Sequence, residues 1–161
     1  MTPLHDLYER YAGDVYRFAL YLSGNPADAE DITADTFVRL WTAPGDIRLI
    51  SVKAYLLTIA RHLYLDRCRA QARLTDLDPE LPSSARSAED RAAARSEVAH
   101  LRQGIKGLPE GDRAALLMRA DGVAYDEIAR ALGTSLGAAK VRVHRARKRL
   151  IEAKLSRETS P

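Results

Sequence analysis

The chain has little of three things that often mark a protein's class: cysteine, aromatic residues and long apolar runs. Cys68 is its single cysteine, so no internal disulfide can form. Aromatic residues make up 6% of the 161 residues, so a core would consist mainly of Leu, Ala, Val and Ile. No apolar run approaches the ~20 residues that span a bilayer, and no N-terminal signal segment is recognisable. The sequence therefore predicts a cytoplasmic protein without membrane insertion.

Signals for strands and for catalysis are also missing. No Asn-Gly or Asp-Gly dipeptide lies between alternating apolar residues, which favours an all-α protein. The four histidines, His5, His62, His100 and His144, are scattered without the spacing of metal ligands. There is no glycine-rich phosphate loop and no nucleophile elbow. We therefore predict no metal, no cofactor and no catalytic residue, and we expect that the chain is not an enzyme.

The net charge of +3 conceals a strong pattern along the chain. Residues 51–73 carry five basic residues and one acid, and residues 140–161 carry eight basic residues and two acids. Residues 1–50 are acidic, with eight acids against four arginines. Two basic segments within a mildly acidic background indicate two separate contacts with a polyanion.

Apolar spacing and helix-breaking residues divide the chain into helices. The predicted helices cover residues 3–23, 26–42, 52–72, 88–106 and 110–120, followed by two more within 125–150. Inward-facing positions are predicted in the second, third and fourth of these. They are Ile32, Phe37, Leu40 and Trp41, then Val52, Leu56, Ile59, Ala60 and Leu63, then Val98, Leu101 and Ile105.

Residues 74–87, LTDLDPELPSSARS, have no helical period and predict a linker. Fully extended, fourteen residues reach up to ~45–50 Å, so the parts on either side could contact a long partner at distant points. The expected organisation is a three-helix domain over 1–73, a flexible linker over 74–87 and a second small helical domain over 88–161.

Residues 125–150, YDEIARALGTSLGAAKVRVHRARKRL, predict two helices joined by a tight turn. Gly133 suits the left-handed residue that ends the first helix, and Thr134 or Ser135 can cap the second. The second helix has an apolar stripe opposite a basic one; the apolar stripe is Leu136, Ala139, Val143, Ala146 and Leu150. Such a helix fits the major groove of DNA. The alternative is a basic helix that is merely solvated.

Three stretches together resemble one family. They are PADAEDITADTFVRLW at 26–41, AYLLTIARHLYLDRCR at 54–69 and LPEGDRAALLMRADGVAYDEIARALGTSLGAAKVRVHRARKRL at 108–150. In this order, around a variable linker, they resemble a group 4 (extracytoplasmic function, ECF) sigma factor of the sigma-70 family. The resemblance covers about residues 4–155 and implies that the chain keeps sigma regions 2 and 4 alone.

The resemblance implies three sets of contact residues. Region 2.2 would dock on the β′ coiled-coil of RNA polymerase through Asp28, Asp31, Asp35, Thr36, Arg39 and Leu40. The loop at 44–52 and the following helix would hold melted −10 DNA through Tyr55, Arg61, His62, Tyr64, Arg69 and Arg73. Region 4.2 would read the −35 element through Ser135, Lys140, Val141, His144, Arg145 and Arg147. The simpler explanations are that the acids stabilise their own helix and that Tyr55 and Tyr64 pack internally.

These implied roles describe a dissociable transcription initiation factor. Its partners would be core RNA polymerase, through the β′ coiled-coil and the β flap, promoter DNA and an anti-sigma factor. Two alternatives remain open: a stand-alone helix-turn-helix regulator, and a sigma-like decoy that binds an anti-sigma factor. The first alternative leaves residues 26–73 unexplained, and the second leaves the basic segments without a use.

Overall fold

The computed structural model describes residues 3–42, 51–77 and 96–159. Within these ranges it contains seven helices and no strand, which confirms the predicted all-α class. The helices are α1 (Pro3–Ser23), α2 (Pro26–Thr42), α3 (Val52–Leu77), α4 (Glu97–Lys106), α5 (Glu110–Ala120), α6 (Tyr125–Leu132) and α7 (Leu136–Thr159). We call α1–α3 the first lobe and α4–α7 the second lobe. None of the described helices has the length and apolar character to cross a membrane.

Local signals explain where the helices of the first lobe begin. Gly24 ends α1 with a positive φ of 70°. The Asn25 side chain then caps α2 by accepting a hydrogen bond from the Asp28 amide at 3.1 Å. Ser51 caps α3 in the same way, since its hydroxyl accepts from the Ala54 amide at 3.2 Å. These caps agree with the helix starts predicted from the sequence.

The end of α3 and the start of α4 differ from the predicted helix boundaries. Helix α3 continues to Leu77, so residues 74–77 are helical rather than part of the linker. Residues 78–87 of the predicted linker and residues 44–50 of the predicted loop lie outside the described residues. Helix α4 begins at Glu97 with Ser96 as its cap, and the predicted helical residues 88–95 also lie outside the described ranges.

The helix-turn-helix has the predicted turn. Gly133 adopts a left-handed conformation, with φ 65° and ψ 37°, and ends α6. The Ser135 hydroxyl then accepts a hydrogen bond from the Ala138 amide at 3.1 Å and so caps α7. Ala139, Val143 and Ala146 are fully buried along one side of α7. This confirms the centre of the predicted apolar stripe, although Leu136 at its start is 46% exposed.

A single apolar cluster extends through both lobes. Phe18, Leu22 and Leu56 occupy its part in the first lobe, and Met118 and Ile128 occupy its part in the second. The two lobes therefore lie against each other in this structure. The wide separation that a long linker allows is not the arrangement seen here.

Three residues predicted to face inward are exposed instead. Trp41 is 72% exposed at the end of α2, while Val98 and Leu101 on α4 are 55% and 44% exposed. Trp41 lines a groove between α1 and α2. Val98 and Leu101 face the end of α7, beside Leu150. Apolar spacing identified the helices correctly, but it did not tell which apolar side chains the neighbouring helices cover.

Candidate nucleic-acid interface

The side of α7 opposite its buried stripe is exposed and basic. Arg147, four residues after the buried Val143, is exposed at the edge of that stripe, and the opposite side carries four charged or titratable residues: Lys140, His144, Arg145 and Lys148. We call them the basic face of α7. Val141 lies among them and is 56% exposed. The apolar stripe therefore holds the helix against the lobe while the basic face points to solvent, as major-groove binding requires.

Arg145 does not extend freely from this face. Its Nε and Nη2 donate to the two carboxylate oxygens of Asp112 at 2.7 and 2.8 Å. The Asp112 side chain is 2% exposed, whereas that of Arg145 is 49% exposed. The hydrogen bonds from Arg145 hold the pKa of Asp112 below its ordinary value. Arg145 therefore joins α7 to α5 while half of its side chain stays accessible.

Ser135 and Lys140 also have structural partners. The Ser135 hydroxyl caps α7, as described above, so a phosphate contact from this residue would be added to a capping role. The Lys140 ammonium lies 5.9 Å from the centre of the Tyr125 ring. His144 and Arg147 are exposed, and neither forms an ion pair with another residue in the described part of the chain.

The predicted −10 residues lie along α3, beside the second lobe. Arg61 donates through Nε and Nη2 to the carboxylate of Glu110 at 2.6 and 2.8 Å, and its side chain is only 14% exposed. Arg69 pairs with Asp66 on its own helix. Arg73 is exposed one turn further on. Arg61 therefore faces the second lobe, whereas Arg69 and Arg73 are exposed.

The two aromatic candidates for base stacking are partly buried. Tyr55 and Tyr64 both pack against the apolar cluster. The Tyr64 hydroxyl accepts a hydrogen bond from Arg113 at 3.1 Å, and burial raises its pKa. Internal packing, which the sequence left open, is what the structure shows for both rings.

His62 differs from these tyrosines because its side chain is exposed. Partial desolvation, followed by the positive charge of Arg61, lowers its pKa below the ordinary value of 6.5. A neutral imidazole offers one donor and one acceptor, and this pair can match a base edge.

Arg67, which the sequence analysis did not single out, lies close to three acidic residues of α2. The Arg67 guanidinium lies 3.7, 3.7 and 3.6 Å from Asp28, Asp31 and Asp35. These distances and the exposure of all four side chains indicate weak, solvent-screened attraction. The acids therefore remain accessible, but their negative charge is partly offset.

The polymerase-docking prediction needs a correction at two positions. Thr36 is fully buried and donates its hydroxyl hydrogen to the Ile32 carbonyl at 2.6 Å. Leu40 is 6% exposed. Neither side chain can touch a partner, so both support α2 from inside. Arg39 is exposed, as the prediction requires.

An apolar groove runs between α1 and α2, and the acid among its lining residues is Glu30. Its volume is about 1070 Å³. Three of its lining residues are large, apolar and at least half exposed: Tyr8 (50%), Val38 (54%) and Trp41 (72%). An apolar surface of this size on one face commonly marks a site of protein association. The sequence analysis missed the groove because it grouped Trp41 with the apolar residues through which α2 contacts its neighbours.

Three other contact residues had no distinctive signal in the sequence. Arg113 is 8% exposed, and Asp112 is 1% exposed. Glu127 binds Ser51, which lies 76 residues away. Acids in the first turn of a helix are usually explained by the helix dipole, and a single Arg on a helix is usually solvated. Only the packing of the helices shows that these residues have distant partners.

Comparison with known proteins agrees with this architecture. The family model described as Sigma-70 region 2 matches residues 7–74, and the family model described as Sigma-70, region 4 matches residues 100–150. The ECF RNA polymerase sigma factor EcfG of Rhodopseudomonas palustris is 32% identical over 83% of this chain and 75% of its own length. The chain belongs to the ECF sigma factors. The resemblance drawn from the three sequence stretches is thereby confirmed.

Other relatives of this sigma factor are longer. SigE of Mycolicibacterium smegmatis is 33% identical over 99% of the chain and 65% of its own length. BldN of Streptomyces coelicolor is 32% identical over 87% of the chain and 56% of its own length. The chain therefore spans less than two thirds of these two relatives.

Two solved sigma factor structures share the fold. One is RpoE in complex with the anti-sigma factor NepR from Bartonella quintana, with a TM-score of 0.78, 24% identity, and coverage of 92% of this chain and 94% of that one. The other is CnrH in complex with the cytosolic domain of CnrY, with a TM-score of 0.70, 26% identity, and coverage of 98% and 89%. The first likeness supports the fold alone.

Proposed function

We propose that the chain is a dissociable initiation factor that directs bacterial core RNA polymerase to promoters with −35 and −10 elements. The observation that carries this proposal is the helix-turn-helix of the second lobe, whose α7 has its buried stripe and its exposed basic face on opposite sides. Family membership supplies the context in which such a helix reads the −35 element. The chain contributes recognition, and the polymerase carries out the chemistry in the cytoplasm.

The second lobe is proposed to read duplex DNA through α7. Lys140, His144 and Arg147 face solvent and can reach base edges or phosphates. Val141 offers an apolar contact that suits a thymine methyl group. Arg145 can use its accessible half for DNA while Asp112 fixes its orientation.

The first lobe is proposed to hold melted −10 DNA along α3. His62 is the candidate for a base edge, because its side chain is exposed and its lowered pKa favours the neutral imidazole. Arg69 and Arg73 are candidates for phosphates, and both are exposed. Arg61 belongs to the same surface but is bound to Glu110 in this arrangement.

The groove between α1 and α2 is proposed to dock the polymerase. It joins an apolar surface with Asp31 and Asp35, which lie exposed on the same helix. Apolar contacts can supply the affinity, and the acids can favour a basic partner over other surfaces. This replaces a docking surface that included Thr36 and Leu40. The family resemblance implies an anti-sigma factor as a further partner.

Transcription with purified core polymerase tests the function. The protein is added to core enzyme with fragments of genomic DNA, and the products are sequenced. Promoter-specific transcripts support the proposal. DNA binding that needs no polymerase would instead identify a stand-alone regulator, and tight binding to an anti-sigma factor without any transcription would identify a decoy.

The docking groove is tested by Trp41→Asp. We expect core affinity to fall about tenfold or more, because an exposed Trp at a protein contact commonly contributes more than about 1.4 kcal/mol. Helix content should not change, since Trp41 is 72% exposed. Leu77→Asp is the matched control, because Leu77 is also apolar and exposed, at 83%, but lies at the far end of α3. Equal core affinity for the two variants would contradict the groove assignment.

A further inference from the structure

The contact between Asp112 and Arg145 leaves one edge of the guanidinium unused. Nε and Nη2, which form its inner edge, donate to the two carboxylate oxygens at 2.7 and 2.8 Å. A guanidinium carries further N–H donors in the same plane, on Nη1 and on the other side of Nη2. These donors form its outer edge and lie side by side, in the geometry of a second fork. Arg145 therefore keeps a forked pair of donors while Asp112 holds the other pair.

The accessible part of Arg145 lies on the side of α7 that faces solvent. Val141, one helical turn before it, and Lys148, one turn after it, are exposed on the same side. The side chain of Asp112 is 2% exposed, whereas that of Arg145 is 49% exposed. The buried carboxylate thus holds the arginine from inside the lobe, and the exposed half of the arginine is available to a ligand outside it.

Two further arginines lie close to Asp112 but leave its oxygens to Arg145. The hydrogen bonds from Arg145 are the main cause of the lowered pKa of Asp112, and the charges of Arg142 and Arg149 contribute to it. Neither of the two forms an ion pair with Asp112 in the described part of the chain. Arg142 lies against Gly111 instead, where a Cβ would come within 1.7 Å of its Nη1. The missing side chain at Gly111 gives Arg142 a place of its own, so both Asp112 oxygens stay with one guanidinium.

A fixed pair of parallel donors distinguishes guanine from the other bases in the major groove. Guanine presents two acceptors there, N7 and O6, which a forked guanidinium matches. Adenine presents an acceptor and a donor at the corresponding positions, so one of the two hydrogen bonds would be lost. A side chain whose direction is already set also loses less conformational entropy when it binds. The outer edge of Arg145 therefore suits a guanine better than any other base.

We propose that Asp112 is a positioning residue for −35 recognition, which holds the inner edge of Arg145 so that the outer edge selects a guanine. The proposal rests on the proposed function, because it assigns α7 to the −35 duplex. Asp112 is too deeply buried to touch DNA and acts through Arg145. Its negative charge weakens the general attraction of α7 to phosphates, so its benefit lies in discrimination between bases rather than in affinity.

The test compares wild-type protein with Asp112→Asn, each bound to core polymerase. The substitution keeps the size of the side chain but replaces one of its two acceptors by a donor, so the forked contact cannot form. Each holoenzyme selects from duplexes of one promoter found by the transcription assay, with the −35 element randomised, and the bound duplexes are sequenced. At one position of the element, we expect wild type to prefer guanine by about tenfold or more and Asp112→Asn by about threefold or less.

The variant Arg145→Ala identifies the position in the element that belongs to Arg145. It should lose the guanine preference at the same position as Asp112→Asn, and adding Asp112→Asn to it should cause no further loss there. Loss of folded protein lowers binding to every duplex alike, so it cannot change the preference at one position. A change at other positions instead, or an equal change in the Arg145→Ala background, would show that Asp112 does not act through Arg145.

Asp126→Asn is the matched control. Asp126 is an acid of the same lobe, 60% exposed, and its Oδ2 lies 3.9 Å from Arg130 of its own helix. The substitution removes one negative charge without touching Arg145, so the guanine preference should stay within about twofold of wild type. If the control reduced the preference as much as Asp112→Asn does, the charge of the lobe would be responsible, and the positioning role would be overturned.

Circular dichroism establishes whether Asp112→Asn is folded. If it has lost helix, Asp112→Glu takes its place, because it keeps the charge but moves the carboxylate by one methylene group, and the same loss of preference is expected. A folded variant with the guanine preference of wild type overturns the positioning role. Wild-type holoenzyme that selects no −35 sequence removes the proposed function as well, whereas one that selects a −35 sequence without a guanine dependent on Arg145 removes the positioning role alone.

Discussion

Arg145 has two roles: it binds the buried Asp112, and it is proposed to contact DNA. Asp112 is 1% exposed and its carboxylate oxygens both bind Arg145. Arg142 and Arg149 add further positive charge around it, which also lowers the pKa of Asp112. A buried acid at this position reduces the repulsion between the closely spaced arginines of α7. Asp112 thus stabilises the basic face that the DNA contact needs.

Replacing Asp112 should make the stability of the protein less sensitive to acid. A lowered pKa in the folded state means that Asp112 stabilises the fold above the unfolded pKa of about 3.9, and this stabilisation is lost as the pH falls through the folded pKa. We expect Asp112→Asn to lower the free energy of unfolding by about 1–3 kcal/mol at pH 7. Urea denaturation across a pH series measures this, and the difference from wild type should shrink below about pH 4. A difference that stays constant to pH 2 would contradict the ion-pair explanation.

The substitution Arg145→Ala tests whether Arg145 contributes to promoter binding. If its accessible half donates to a guanine, promoter affinity should fall by about 1–3 kcal/mol. Lys154→Ala is the control, because Lys154 is an exposed basic residue of α7 beyond the basic face. Affinities are measured with the polymerase holoenzyme on one promoter and on its base-substituted versions. A loss no larger than that of the control would limit Arg145 to its bond with Asp112.

At the scale of helices, short capping signals position the recognition helix. Gly133 ends α6 in the left-handed region, and Ser135 caps α7 two residues later. This turn fixes the angle between the two helices and hence the direction of the basic face. The turn was predictable from the sequence because two nearby residues, Gly133 and Ser135, determine it.

Two glycines close to this turn should respond in opposite ways to the same substitution. Gly133→Ala should lower the free energy of unfolding by about 1 kcal/mol, since a Cβ disfavours its φ of 65° although no other atom is within 4 Å. Gly137→Ala should raise that free energy by up to about 1 kcal/mol, because Gly137 lies in the first turn of α7 and also has open space around it. Chemical denaturation of both variants provides the comparison. Equal effects of the two substitutions would contradict the capping role.

At the scale of the whole molecule, a buried arginine connects the lobes. Besides Leu22 and Tyr64, Arg113 binds the carbonyls of Lys106 and Leu108 at 3.1 and 3.0 Å. Leu22 lies at the end of α1 and Lys106 at the end of α4, so the negative ends of two helices face the guanidinium. These carbonyls take the place of a carboxylate partner for the buried charge.

Removing this arginine should weaken the whole fold. We expect Arg113→Met to lower the free energy of unfolding by about 2–4 kcal/mol, because it leaves several buried carbonyls without a donor. Arg102→Met is the control: Arg102 is exposed above the Tyr21 ring, and its loss should cost less than about 1 kcal/mol. Thermal and urea denaturation give both values. Similar losses for the two variants would show that the carbonyl contacts contribute little.

The sequence by itself determined that the described segments are helical, where α2, α3 and α7 begin, the helix-turn-helix and the family. These depend on residues a few positions apart, such as Gly133 and Ser135, whose preferences act locally. Only the tertiary structure decided that Arg61 binds Glu110, that Arg145 binds Asp112 and that Trp41 is exposed. Partners 49 and 33 residues apart leave no periodic signal, and whether an apolar side chain is covered depends on the neighbouring helix. The physical reason is that these pairings arise only once the helices pack.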